Sequence, residues 1–155
     1  NTQGISGLGL ATELAYDNLE EKQLHIINLN NRLREGLMSE LDDIIVNGTI
    51  DMGVEVSDYG KRFPSVLNVS FLGARGEVIL HTLEQYEIFV STGSACSSHK
   101  NSDSHVLAAM GLGHKEIEGA IRFSISEFNT LEEMDEVAAK VSAAVKRFRR
   151  LGSFR

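Results

Sequence analysis

Between Thr12 and Leu41 the apolar residues Ile26, Ile27, Leu29, Leu33, Leu37 and Leu41 recur at three- and four-residue spacing, and charged and amide residues fill the opposite face. That period predicts an amphipathic helix. A run of about thirty residues is long for a globular helix, so a kink or break is expected near Asn18 to Lys22. Ile44-Ile45-Val46 reads as a short strand closed by the Asn47-Gly48 turn. Residues 49–64 are irregular and punctuated by glycine. From Val66 to Leu72 the chain alternates, with Val66, Asn68 and Ser70 on one side and Leu67, Val69 and Phe71 on the other, which predicts a half-buried strand.

After Gly73-Ala74-Arg75-Gly76 a helix is predicted over 77–86, with Val78, Ile79 and Leu83 inward, and Ile88-Phe89-Val90 reads as another apolar strand. A short helix from about Asp103 to Met110 is stopped by Gly111. Ala120 to Ser126 reads as a strand. Thr130 and Glu133 form a capping box that opens a last helix, with Leu131, Met134, Ala138, Val141, Val145 and Phe148 on one face. The order is helix, strand, strand, helix, strand, short helix, strand, helix. It predicts an α+β fold, a small, mostly antiparallel sheet covered by helices.

Pro64 is the single proline, and no internal repeat or long linker divides the 155 residues, so residues 1–155 read as one domain. Apolar residues make up 42% and charged residues 24%, as in a folded globular chain. The net charge of -7 and the lack of a long basic cluster argue against nucleic-acid binding. No apolar stretch approaches the roughly 20 residues of a membrane span. The start Asn1-Thr2-Gln3-Gly4 has no initiator Met and no secretory pattern, which suggests a chain cut from something longer. A single cysteine leaves a free thiol and suits a reducing cytoplasm.

That thiol, Cys96, lies in the small, hydroxyl-rich run Ser91-Thr-Gly-Ser-Ala-Cys-Ser-Ser98. Small neighbours favour an accessible sulfur, and His99, Lys100 and His105 are close enough in sequence to favour the thiolate, the form that acts as nucleophile. The alternative is a structural cysteine packed as a small hydrophobe. Arg122 sits in an apolar strand on the face opposite Ile121 and Phe123, where it must reach solvent or pair with an anion. A guanidinium can hold a carboxylate with two parallel hydrogen bonds. A solvated sheet face, or a nearby Glu, explains it equally well. His25, His81, His99, His105 and His114 show no metal-site spacing. Gly73-x-x-Gly76 before a helix is a weak phosphate signal that a tight turn explains, and Lys146, Arg147, Arg149 and Arg150 complement a helix dipole without needing a ligand.

Taken together, SVLNVSF (65–71), TGSACSS (92–98), SHVLAAMG (104–111) and IRFS (121–124) resemble the C-terminal region of group I cysteine desulfurases, of the class V branch of fold-type I aminotransferases. The resemblance spans essentially the whole chain. It implies the C-terminal small domain of a pyridoxal-phosphate enzyme that converts L-cysteine to L-alanine. Cys96 would be the catalytic cysteine that becomes a persulfide, and Arg122 the residue that binds the substrate carboxylate.

In such a family the cofactor lysine, the aspartate facing the pyridine nitrogen and the histidine over the ring belong to a large upstream domain, none of which is here. The resemblance therefore implies pyridoxal phosphate in the full-length enzyme, no cofactor-binding residue in this chain, no metal, and no catalysis by the chain alone. Implied partners are the large domain, a homodimer mate, and a sulfur acceptor or scaffold protein, as in iron–sulfur cluster assembly or another sulfur-transfer pathway. A selenocysteine lyase, another class V enzyme, or a non-catalytic persulfide-carrying or scaffold-docking module are the alternatives.

Overall fold

The computed structural model describes residues 1–48, 64–93 and 104–152. Cys96, His99 and Lys100 lie outside these, as does Asp103 at the start of the predicted short helix. The elements are α1 (Thr2–Tyr16), α2 (Leu19–Glu40), β1 (Ile44–Val46), β2 (Val66–Phe71), α3 (Gly76–Glu84), α4 (His105–Ala109), α5 (His114–Glu118), β3 (Ala120–Ser124) and α6 (Leu131–Arg150). The strands form an antiparallel sheet in the order β1-β2-β3.

Strand periodicity divides that sheet into two chemically different faces. Leu67, Val69 and Phe71 of β2 and Ile121 and Phe123 of β3 are buried together with Leu29, Leu33 and Leu37 of α2, Ile79 and Leu83 of α3, and Met134, Ala138, Val141 and Val145 of α6. Each large apolar side chain among them contributes about 1.5–3 kcal/mol relative to remaining in water. The predicted alternation of β2 and the stripe of α2 are therefore the two halves of one core. The opposite sheet face carries the polar residues of the same strands, Asn68 and Ser70 from β2 and Arg122 and Ser124 from β3.

The expected break in the first helix is present. Asn18 takes a left-handed backbone (φ 52°) between α1 and α2, a conformation that asparagine tolerates better than most residues. The Lys22 ammonium donates to the Leu14 carbonyl at 2.7 Å, satisfying one of the acceptors that the end of α1 leaves open. Helical structure begins at Thr2, ten residues before the expected start at Thr12, and α1 buries none of its residues. Ile5, Leu8 and Tyr16 are each about 70% exposed.

Four expectations are corrected. Ile88-Phe89-Val90 is not a strand: the Ile88 N–H turns back to the Leu83 carbonyl, Glu87 adopts φ 59°, and Phe89 is 79% exposed. Closing α3 uses up the start of that segment, and pairing with β3 begins only at Ser91. Val78 and Leu131, expected inward, are exposed: Val78 is turned one residue off the Ile79–Leu83 stripe of α3, and Leu131, though in phase with Met134 and Ala138, is the first residue of α6. β3 stops at Ser124, two residues early: the Ile125 N–H still donates to the Ser65 carbonyl at 2.7 Å, the next rung of the β2–β3 register, but the Ser126 N–H turns to Asn129 Oδ1 at 2.9 Å. The short α5 is an addition to the expected order, being too brief to show a period.

The Thr130 capping box is formed as the sequence predicts. The Thr130 hydroxyl accepts the Glu133 N–H at 3.2 Å, and the Glu133 carboxylate accepts the Thr130 N–H at 3.0 Å. At the far end of α6, Arg149 donates to the carbonyls of Leu72, Asp42 and Asp43, stitching the helix to the entry of β1 and the exit of β2.

Candidate functional site

Arg122 lies in the middle of β3 and its side chain is on the polar, exposed side of the sheet, as alternation predicts. Its backbone faces outward from β2. Arg122 N–H donates to Ser91 O at 2.7 Å and Ser91 N–H donates to Arg122 O at 3.1 Å. With those groups spent on Ser91, Arg122 and its β2 partner Asn68 form a non-hydrogen-bonded antiparallel pair, the geometry that brings opposed side chains closest. On the far side of Asn68, Asn47 N–H donates to Asn68 O at 2.8 Å, continuing the β1–β2 register by one residue. Asn47, Asn68, Arg122 and Ser91 thus form one row across the sheet.

The row's asparagine end is rigid. Asn47 Nδ2 donates to Asn68 Oδ1 at 2.6 Å and to Ser70 Oγ at 2.8 Å. Its arginine end is open, since the guanidinium has no ion-pair or hydrogen-bond partner among the described residues. A single strand cannot reveal a row of this kind. Alternation places Asn68 and Arg122 on a polar face, but the register that makes them neighbours joins residues 54 positions apart.

Ser91 leads directly to the segment that carries Cys96. Thr92 Cγ2 sits 3.1 Å from where a Cβ on Gly76 would be, and the Ala120 carbonyl is 2.8 Å from that position. Gly76 is therefore a close-packing residue that lets the 91–92 stretch lie against the start of α3, which accounts for the Gly73-x-x-Gly76 pattern without a phosphate. A Cβ on Gly93 would lie 2.8 Å from Ser104 Cβ. The described residues on either side of 94–103 thus lie close together, and Gly93 follows two residues after the Ser91–Arg122 bridge.

The remaining candidates are accounted for locally. His25 Nε2 pairs with the Asn129 carbonyl at 2.9 Å and His81 with Glu84 at 2.9 Å, while His105 is exposed on α4. No group of three or more His, Cys, Asp or Glu among the described residues could hold a metal ion. Lys146 pairs with Glu40 at 2.6 Å. A groove of about 740 Å³ between α2 and α6 contains neither Arg122 nor Ser91. Among the described residues no helix is long and apolar enough to cross a membrane.

The family model for class V aminotransferases matches residues 1–137. The chain belongs to that family. Among curated proteins it is 38% identical over 151 residues to a cysteine desulfurase IscS of Clostridium botulinum, an alignment covering 97% of this chain and 36% of the relative. It is 37% identical over 155 residues to a cysteine desulfurase of Nostoc sp., covering 100% of this chain and 36% of that protein. The chain thus spans about a third of the length of these class V relatives. Of solved structures, a NifS-like protein superposes with a TM-score of 0.73 at 31% identity, over 95% of this chain and 34% of that one. A NifS-like protein from Rickettsia africae gives 0.72 at 24% identity, over 94% and 35%, which supports the fold alone.

The pyridoxal phosphate that the sequence resemblance implies for the full-length enzyme would need a lysine for its aldehyde, a partner for its pyridine nitrogen and donors for its phosphate. The described lysines do not fit that role: Lys22 is held by the Leu14 carbonyl, Lys140 lies 4.2 Å over the Tyr86 ring, Lys146 pairs with Glu40, and Lys115 is exposed on α5. None belongs to the Arg122 row. The described residues present at Arg122 a guanidinium with no partner among them, and no lysine beside it.

Proposed function

We propose that this chain is the C-terminal small domain of a pyridoxal-phosphate-dependent cysteine desulfurase, in which Arg122 binds the substrate carboxylate and Cys96 takes the sulfur. The observation that carries this reading is the reciprocal pairing of Ser91 with Arg122, which anchors the base of the cysteine-bearing segment beside a guanidinium that no described residue partners. Cys96 lies three residues beyond Gly93 in sequence, so its Cα can stand at most about 11 Å from that of Gly93. The named activities of the relatives support the same assignment.

The chain's own part in the reaction follows from the chemistry of its residues. Arg122 fixes the carboxylate by charge-assisted hydrogen bonds and so orients the substrate's side chain. The Cys96 thiolate attacks the substrate sulfur. A sulfur–sulfur bond forms, the substrate carbon–sulfur bond breaks with its electron pair going to carbon, and a proton completes alanine. L-cysteine plus the Cys96 thiol thus becomes L-alanine plus the Cys96 persulfide, with no external oxidant or reductant. Held by the remainder of the parent polypeptide, pyridoxal phosphate would supply the electron sink for that exchange. The exposed apolar residues of α1 fit a surface that the remaining domain covers.

The full-length parent, loaded with pyridoxal phosphate and given L-cysteine, is expected to release alanine, and Arg122→Lys to raise KM by at least about ten-fold because an ammonium cannot grip a carboxylate with two parallel bonds. A full-length protein that binds the cofactor but releases no alanine from L-cysteine would overturn the assignment.

A further inference from the structure

We infer that Asn68 is a second carboxylate-binding residue, its side-chain amide standing beside the Arg122 guanidinium to complete a two-residue clamp for the substrate's α-carboxylate. The inference rests on the proposed role of Arg122 and extends it to a residue to which nothing yet gives a function. Four observations converge. Asn68 and Arg122 are directly opposed in the register, in the pairing type that brings side chains closest. Asn68 Oδ1 is occupied by Asn47 Nδ2 at 2.6 Å, which turns Asn68 Nδ2 away from Asn47, and that nitrogen has no partner among the described residues. Asn68 is half-buried, so its amide is held at the sheet surface instead of drifting in solvent.

The fourth observation concerns Asn47. Its Oδ1 is buried with no hydrogen-bond partner among the described residues, although its Nδ2 makes two bonds. An unsatisfied buried acceptor costs about 1–3 kcal/mol, which is a poor arrangement if the cluster serves only stability. It is the arrangement expected if Asn47 is a brace, held by Ser70 and by its own backbone bond, whose task is to fix which way Asn68 points. A charged donor and a neutral donor side by side match the two oxygens of a carboxylate, and neither can bind an uncharged or cationic group in that place equally well. The clamp therefore selects substrates that keep the α-carboxylate.

The test uses the cofactor-loaded full-length enzyme and the variants Asn68→Asp and Arg122→Ala. Asp is isosteric with Asn and still accepts the Asn47 bond, but it presents an oxygen where the donor stood. Asn68→Asp is expected to raise KM for L-cysteine, and the dissociation constant of the product L-alanine, by roughly ten- to a hundred-fold, the range of a lost hydrogen bond to a charged group. It should leave kcat within about three-fold and the thermal midpoint unchanged, a split that a merely structural role does not produce. Asn68→Ala, which removes the donor without adding charge, should raise both constants by less. If Arg122→Ala raises KM and neither Asn68 variant does, the inference is wrong and the Arg122 assignment stands. If Arg122→Ala leaves KM unchanged, the carboxylate site itself is misplaced and the inference goes with it.

Discussion

Ser91 and Arg122 hold each other by two backbone hydrogen bonds, at 2.7 and 3.1 Å, in an isolated bridge outside the named strands. This bridge joins β3, the strand at one end of the sheet order, to the residues that lead into the small-residue stretch of sequence containing Cys96. Under the proposed function, a carboxylate held at Arg122 would sit beside the residue that opens the Cys96-bearing stretch.

The contact between Gly93 and Ser104 should be sensitive to a single methyl group. Gly93→Ala places a Cβ 2.8 Å from Ser104 Cβ, so the ends of the 94–103 segment must separate. A loss of about 1–2 kcal/mol in unfolding free energy is expected, within the usual cost of overpacking, and denaturant titration measures it. An unchanged midpoint would mean that the two ends part freely and that the segment is not closed at its base.

Arg149 predicts a stability effect unrelated to catalysis. Its guanidinium satisfies three carbonyls, those of Leu72, Asp42 and Asp43, at 2.8, 2.7 and 2.9 Å. Arg149→Ala should destabilise the fold by about 1–3 kcal/mol, and Arg149→Lys should recover less than half of this, because an ammonium cannot span three acceptors arranged for a planar fork. Thermal unfolding of the two variants side by side decides it.

Much of this architecture is readable from the sequence because it depends on local chemistry. The period of Leu29, Leu33 and Leu37, the Thr130–Glu133 capping box and the αL-tolerant Asn18 each declare themselves within a few residues. What cannot be read depends on register. The apolar run Ile88-Phe89-Val90 looks like a strand, yet the Ile88 amide closes α3 instead of joining the sheet. Likewise Arg122 is visible as an isolated polar residue in an apolar strand, but its neighbours Asn68 and Ser91 are not, since they come from segments 54 and 31 residues away. Val78 and Leu131 show a related limit: an apolar residue beside a buried stripe, or in phase with it at the helix's first position, carries no mark of being exposed.

Acid should weaken the fold in a defined window. Glu133 is held below the usual carboxylate range by the Asn129 side-chain amide and then by the Thr130 N–H, Glu40 by its bond to Lys146, and Asp135 by its bond to Arg32. A carboxylate with a lowered folded-state pKa leaves the unfolded chain binding more protons between the two values, so stability rises with pH there and is lost as pH falls. The ordinary values are 4.5 for the two glutamates and 3.8 for the aspartate, so the denaturant midpoint should be level near neutrality and decline below about pH 4.5. Glu133→Gln should flatten part of that decline. A midpoint independent of pH down to about pH 3 would show that these pairs add nothing to folding.

The 155-residue chain by itself should fail as a catalyst while remaining folded. None of its described lysines is placed to hold pyridoxal phosphate. Mixing the chain with pyridoxal phosphate and L-cysteine should give no alanine above the protein-free control, with a cooperative unfolding transition showing that the core is intact. Steady alanine release from the chain alone would mean that the cofactor site lies within it.

The most direct test of the account is to follow the sulfur. Full-length protein treated briefly with L-cysteine and trapped with an alkylating reagent should show, by peptide mass spectrometry, one added sulfur atom on the peptide that contains Cys96, in step with alanine release, and no alanine from Cys96→Ser. Alanine release that continues undiminished in Cys96→Ser, or added sulfur found only on a different residue, would contradict it.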